Sequence, residues 1–236
     1  MRAFLFIACL LVAATARAQL GPEIARKHAA RAGEKLAALT GLRAEGRTFI
    51  NDEVVPFTLT AQRPNRLRVE SFTPLRRVVQ VYDGASQPWI SHSEVKGGAP
   101  QDMNAADAKD FIANADFDGV LVDFAEKGYS VDYAGEEKIG ERPAYKLLLM
   151  NKRDDIFFLW VDAGNYEVVK RAAYRVFGGQ RVTVETLFKD FRDVAGVLQP
   201  FRIETTANGR TLYVMLIDKM EANVAIPAGT FARPAN

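Results

Sequence analysis

Between residues 43 and 91 apolar and polar side chains alternate. Phe57, Leu59 and Ala61 alternate with Thr58, Thr60 and Gln62, and Leu67 and Val69 with Arg66, Arg68 and Glu70. That is the pattern of strands with one face covered and the other in water. Pro64-Asn65 supplies the turn between these runs, 78–82 reads as the next strand, and Asp83-Gly84 opens a hairpin returning through Trp89-Ile90-Ser91. From 139 to 201 the pattern becomes denser. Four runs rich in β-branched and aromatic residues, at 144–150, 156–162, 168–176 and 181–191, are separated by punctuation too short to hold a helix. Such short connections force antiparallel neighbours, because a parallel return needs about a dozen residues or more. Another strand begins at Tyr129, and strands at 201–206 and 211–219 are joined at Asn208-Gly209. The tail at 224–231, with Pro227 and Gly229, reads as an edge segment or a terminal wrap. About ten strands are predicted, and a sheet of that many twisted strands curls.

Two stretches depart from this alternation. Residues 22–39 put Ile24, Ala25, Ala29, Ala32, Leu36 and Leu39 on one helical face and Arg26, Lys27, Arg31, Glu34 and Lys35 on the other. Pro22 suits the first turn and Gly41 the stop. The apolar stripe is mostly Ala, without Trp or Phe, which suits packing on a sheet better than seating in a membrane. Residues 102–127 form a helical insertion in mid-sheet. One helix at 102–114 carries Phe111 and Ile112, a second short helix at 120–127 carries Leu121 and Phe124, and 116–119 breaks them apart. These four apolar side chains make the insertion a candidate lid. The expected fold is mainly β (α+β): a single curved antiparallel sheet forming an incomplete β-barrel, with an N-terminal helix and a helical lid.

Residues 1–18 read as a cleaved signal peptide, leaving one domain over 19–236. Arg2 precedes a short apolar run at 4–14, and Ala16-Arg17-Ala18 is a small-x-small cleavage site. The run is shorter than the roughly 20 residues that span a bilayer as a helix. Cys9 lies inside this run, with too little chain before it for lipoprotein processing, and it is the single cysteine. The exported chain therefore has no disulfide and must be held by its core. Loss of Arg2 and Arg17 lowers Lys+Arg from 31 to 29, equal to the 29 acidic residues, so the exported chain is close to neutral. Nothing in that balance points to nucleic acid as a partner.

Chemical signals are sparse. The two histidines, His28 and His92, have no metal-ligand spacing around them, and no cysteine survives export to act as a nucleophile. Glu136-Glu137 and Asp154-Asp155 read as solvated turns, and Gly97-Gly98 and Gly178-Gly179 lack the context of a phosphate loop. The expectation is a protein without catalytic residues, metal or cofactor. What the sequence has in surplus is large apolar residues on strands. Phe57, Leu59, Leu67, Val69 and Trp89 are candidates in the first half, and Tyr145, Leu147, Leu149, Phe157 and Leu159 in the second. They are either ordinary core beneath the helices or the lining of a cavity. Ile156 to Val161 is apolar on both faces, more greasy surface than two short helices obviously cover, which supports an apolar ligand cavity.

A set of short motifs also runs through the chain. They are Val81-Tyr82-Asp83-Gly84 with Trp89, Phe117-Asp118-Gly119, Lys127-Gly128, Gly140 with Tyr145-Lys146-Leu147, and Val161-Asp162 with Lys170. Glu185-Thr186, Asp190-Phe191, Gly196, Pro200-Phe201, Asn223-Val224 and Phe231-Ala232-Arg233-Pro234 continue it. In this order the set resembles the LolA-like superfamily of outer-membrane lipoprotein-sorting proteins, which includes the periplasmic sensor RseB and mycobacterial lipid-binding relatives. The resemblance implies an incomplete barrel whose helical lid covers a cavity for acyl chains. It implies a soluble, monomeric periplasmic carrier of lipid or lipoprotein acyl chains, passed between membrane-bound donor and acceptor proteins on the way to the outer membrane. The alternative is a non-catalytic periplasmic sensor that uses the same cup for a peptide or protein partner. The mature N-terminal Cys of a lipid-anchored receptor is absent.

Overall fold

The structure, a computed structural model, describes residues 2–73, 76–93, 98–152, 155–177 and 179–234, with side chains from Gln19 onward except at 177. Gly97, Asp154 and Gly178, singled out above, lie outside the described residues. Helix α1 (Arg2–Ala37) is followed by strands β1 (Gly41–Ile50), β2 (Glu53–Gln62), β3 (Arg66–Phe72), β4 (Arg77–Tyr82), β5 (Trp89–Ser93) and β6 (Gln101–Asp102). Helix α2 (Ala105–Asn114) precedes β7 (Tyr129–Ile139), β8 (Arg142–Asn151), β9 (Ile156–Asp162) and β10 (Val168–Phe177). The chain continues through β11 (Gln180–Val194), β12 (Val197–Ala207) and β13 (Arg210–Ala222). The fold is mainly β. Among the described residues thirteen strands form one antiparallel sheet, in the order β6-β5-β4-β3-β2-β1-β13-β12-β11-β10-β9-β8-β7, that does not close.

Four expectations need correction, the simplest being that Glu136-Glu137 lies inside β7 and not in a turn. Among the described residues the sheet has thirteen strands, not about ten. Gly41 opens β1 as well as following the helix, and β6 has only two residues, too few to show alternation. Residues 120–128 are turns and not a second helix. Leu121 and Phe124 have helical spacing, but Asp123 between them has φ 52°, and Gly119 and Gly128 on either side have φ 78° and 82°. Left-handed residues at that density cannot continue a right-handed helix. Helix α1 also differs from its expected span, since it runs through Pro22 and kinks at Gly33, where φ is 45°.

The chain divides into two compact units. The first holds residues 1–33, 120–188 and 205–210, and the second holds 34–119, 189–204 and 211–236. In the first unit, register places Tyr145, Leu147 and Leu149 on one face, opposite Val161, Leu159 and Phe157. Ile24 and Ala25 of α1, together with Leu121 and Val131, close this face into a core. The helix approaches so near that a Cβ at Gly21 would lie 2.5 Å from Val131 O. On the opposite face Trp160 is buried with Ala144 and Ala172 although no helix belongs to that cluster. Its indole N–H donates to Glu137 at 2.8 Å, while Lys170 and Lys146 place their ammonium groups 4.6 and 5.0 Å from the ring centroid. Lysine stems and cation–π contacts there do what a helix does on the other side.

In the second unit the faces of β1 to β5 separate two clusters. Val79, Val81 and Trp89 are covered by Phe231 and Ile226 of the tail, which is therefore a terminal wrap and not an edge strand. The other face carries the candidate site.

Candidate functional site

Alternation and register define this face of the second unit. Leu59 pairs with Ala44 and Val69, Ala61 with Leu67, and Leu67 with Tyr82. Directly paired residues project to the same side, so these form one apolar stripe across five strands, β13 contributing Met220 opposite Ala44. Helix α2 covers one part of the stripe with Ala108, Phe111 and Ala115, against Leu67, Tyr82 and Met103. Its N-terminus is fixed by Asn104, whose side-chain oxygen accepts from Ala106 N and Asp107 N at 3.1 and 3.0 Å. At the other part, Phe57, Phe201, Ile217 and Val194 form a second cluster. A Cβ at Gly46 would collide with the Phe57 ring and Leu216 O, so glycine is what lets the phenylalanine lie flat on β1.

Leu59 packs against both clusters yet is only half-buried. So are Leu42, Val69, Ile90, Met215 and Met220 on the same face. A central run of apolar side chains with water-accessible surface is not how a finished core looks. Three of the five methionines, Met103, Met215 and Met220, lie in these two clusters. Their flexible thioethers adapt to a ligand of variable shape.

The remaining sequence candidates fall elsewhere. Leu147 and Leu149 have no exposed surface, and Leu159 and Phe157 are 3% and 6% exposed; they fill the core of the first unit, with Tyr145 half-buried at its margin. Trp89 does not share a face with Leu59 and Leu67: it pairs with Val81, which pairs with Arg68, on the tail-covered side. Alternation alone cannot tell which face of one strand matches which face of the next until the register is known. The four lid candidates are likewise divided. Phe111 is buried under α2 and Ile112 beside it is exposed, whereas Leu121 and the half-buried Phe124 belong to the core of the first unit.

Two polar groupings gave no sequence signal. In the second unit, Arg63 donates from Nε to Leu39 O and from Nη2 to Leu36 O, both at 2.6 Å, and pairs through Nη1 with Asp118. Its guanidinium also lies over the Phe117 ring, 5.0 Å from the centroid. One side chain thus caps the C-terminal end of α1 and fixes the Phe117-Asp118 segment. In the first unit, His28 of α1 donates from Nδ1 to Tyr166 O at 2.8 Å, and Arg31 pairs with Glu167 at 2.8 Å. The carbonyl accepts only, so Nδ1 carries the proton, and the Arg31 Nε that lies 3.3 Å from it makes no hydrogen bond there. Burial pushes His28 down to about 4, aided by the charge of Arg31. Burial also pushes Glu167 up to about 7, outweighing the attraction of Arg31, with repulsion from Asp162 in the same direction. Among the described residues, no cluster of His, Cys, Asp and Glu is placed to hold a metal ion.

No protein-family model matches the chain, and no curated protein sequence matches it. Solved structures do match. An outer membrane lipoprotein-sorting protein domain from Vibrio parahaemolyticus superposes with a TM-score of 0.66 at 10% identity, over 91% of this chain and 97% of that one. A DUF1329 family protein from Desulfovibrio piger gives 0.64 at 11% identity, again over 91% and 97%. A LolA superfamily protein from Nitrosomonas europaea gives 0.59 at 16% identity, over 90% and 97%. The chain therefore has the LolA-like fold, as its motifs and strand pattern imply.

Proposed function

We propose that the protein is a periplasmic carrier that binds lipid, or the acyl chains of a lipoprotein, on the α2 face of the second unit. The observation that carries this is the half-buried apolar run of Leu59, Val69, Met215 and Met220 at the margins of two packed clusters, with Leu59 packed against both. An acyl chain laid along it removes water from side chains that the protein itself leaves wet, and each buried methylene contributes about 0.8 kcal/mol. Helix α2 is the lid in this proposal, with the exposed Ile112 and buried Phe111 as its apolar residues. The solved lipoprotein-sorting domain with the same fold is consistent with such a cargo. The polar groupings of Arg63 and Glu167 serve structure, and no group in the protein is assigned a catalytic step.

Lipid extraction and native mass spectrometry of protein purified from the cell envelope test the cargo, and a fluorescent fatty-acid titration tests the face. Leu59→Glu should abolish probe binding while keeping a cooperative melt. A folded Leu59→Glu variant that binds the probe as wild type does would refute the face. Wild-type protein that carries no lipid and binds no probe would refute the carrier role.

A further inference from the structure

The sheet face of the first unit that carries Trp160 has no helix in its cluster. Toward the β8–β9 and β10–β11 connections it becomes apolar and exposed. Val176, Ile156 and Tyr174 are 72%, 48% and 45% exposed, while Met150 and Phe158 beside them are half-buried. Met150 pairs with Ile156, Phe158 with Ala172, and Val176 with Arg181, so the alternate residues Ile156, Phe158, Tyr174 and Val176 project from one side. Singly exposed hydrophobes are ordinary; three large ones grouped on an uncovered face mark an interaction surface.

The same end of the unit is basic. The Arg181 guanidinium lies 3.8 Å from the Tyr174 ring centroid, and Lys152 is exposed in the β8–β9 connection. Asn208 ties the β12–β13 turn to Thr183 by two hydrogen bonds of 3.0 and 3.1 Å, which brings the exposed Arg210 to this end as well. Among the described residues the acid at this end is Asp155, engaged with Asn151; further along the face lie Asp132, opposite Leu148, and Glu185, opposite Ala172 and paired with Lys170 at 2.6 Å. The exported chain is close to neutral, so this concentration of positive charge is local.

We infer that this end of the face seats the protein on an anionic lipid bilayer. Ile156, Val176 and the Tyr174 ring enter the interfacial layer, and Arg181, Lys152 and Arg210 meet the phosphate headgroups. Aliphatic side chains with a tyrosine and flanking cations match that layer, which is apolar below and anionic above. The inference deepens the carrier role, since a carrier must meet a membrane to load or unload, but it stands on different residues.

Flotation of protein purified from the cell envelope tests it, with vesicles of phosphatidylcholine alone or mixed with phosphatidylglycerol. Wild type should float with the mixed vesicles, less with phosphatidylcholine, and less in high salt. Ile156→Glu combined with Val176→Glu should weaken partition at least about tenfold, and Arg181→Glu should weaken it on the mixed vesicles alone. Both variants should keep the wild-type melt, the altered side chains being exposed, and should keep fatty-acid binding at the α2 face. Wild type that does not float, as a face for a protein partner would behave, overturns the inference, and so does equal flotation of wild type and the double variant. Loss of fatty-acid binding with flotation intact counts against the carrier role and leaves the inference standing.

Discussion

Arg31 of α1 holds Glu167 at 2.8 Å, with only 4% of the carboxylate side chain exposed. The pair and the neighbouring His28 respond to pH in opposite directions. Glu167 is pushed up from 4.5 to about 7, so its contribution to stability is full below pH 4.5 and declines as pH rises toward 7. His28 is pushed down from 6.5 to about 4, so its contribution is full above pH 6.5 and declines as pH falls toward 4. Between pH 4.5 and 6.5 the two slopes offset each other. Glu167→Gln should leave the His28 slope unopposed, and stability should then fall by up to about 1.4 kcal/mol per pH unit on acidification through this window. Urea titrations at a series of pH values measure it; a variant with the wild-type pH profile would show that Glu167 is not the opposing group.

Removal of Arg63 should be costly for its neighbours. Arg63→Ala leaves Leu36 O and Leu39 O without their donor and strands the carboxylate of Asp118, whose Oδ1 already has no partner among the described residues. A loss of about 3 kcal/mol is expected in chemical denaturation. Adding Asp118→Ala should restore part of that, because the stranded charge is then gone. Additive losses would mean the two side chains do not act on each other.

Leu147 has no exposed surface and contributes to the core under α1, while Lys146 points the other way toward Glu137. Leu147→Glu buries an unpaired carboxylate and should cost several kcal/mol, enough to unfold a domain of ordinary stability. Lys146→Glu should cost roughly 1 kcal/mol or somewhat more, since it loses a partly exposed ion pair and cation–π contacts with Phe158 and Trp160. A cooperative melt for Leu147→Glu near that of wild type would place this residue in a hydrated cavity instead.

Export is tested by mass. Protein from the cell envelope should lack residues 1–18, begin at Gln19, and carry no acyl chains. An intact mass that includes diacylglycerol on Cys9 would overturn the cleavage site.

Strand positions were legible wherever alternation and turn chemistry agreed. Ile156–Asp162 is observed with the predicted bounds, and Asn208-Gly209 turns with positive φ at both residues, as a tight hairpin requires. Most of the expected apolar stripe is also buried, Ile24, Ala25 and Ala32 within α1 and Leu39 just past its end, while Ala29 and Leu36 are half-buried. What could not be read was anything fixed by register or by long-range packing. Trp89 alternates correctly within β5, yet its face is decided by the pairing of β3, β4 and β5. Leu59 and Leu147 look alike in sequence, and only the elements packed above them make one half-exposed and the other closed. Arg63 and His28 gave no signal because their partners lie 24 to 55 and 138 residues away.

Of the two tryptophans, Trp89 lies under the C-terminal tail in the second unit and Trp160 between two lysines in the first. Each unit therefore carries its own fluorophore. Trp89→Phe leaves an emission that follows the first unit alone, and Trp160→Phe one that follows the second. Comparing their denaturation midpoints asks whether the two units melt as one cooperative body or in sequence.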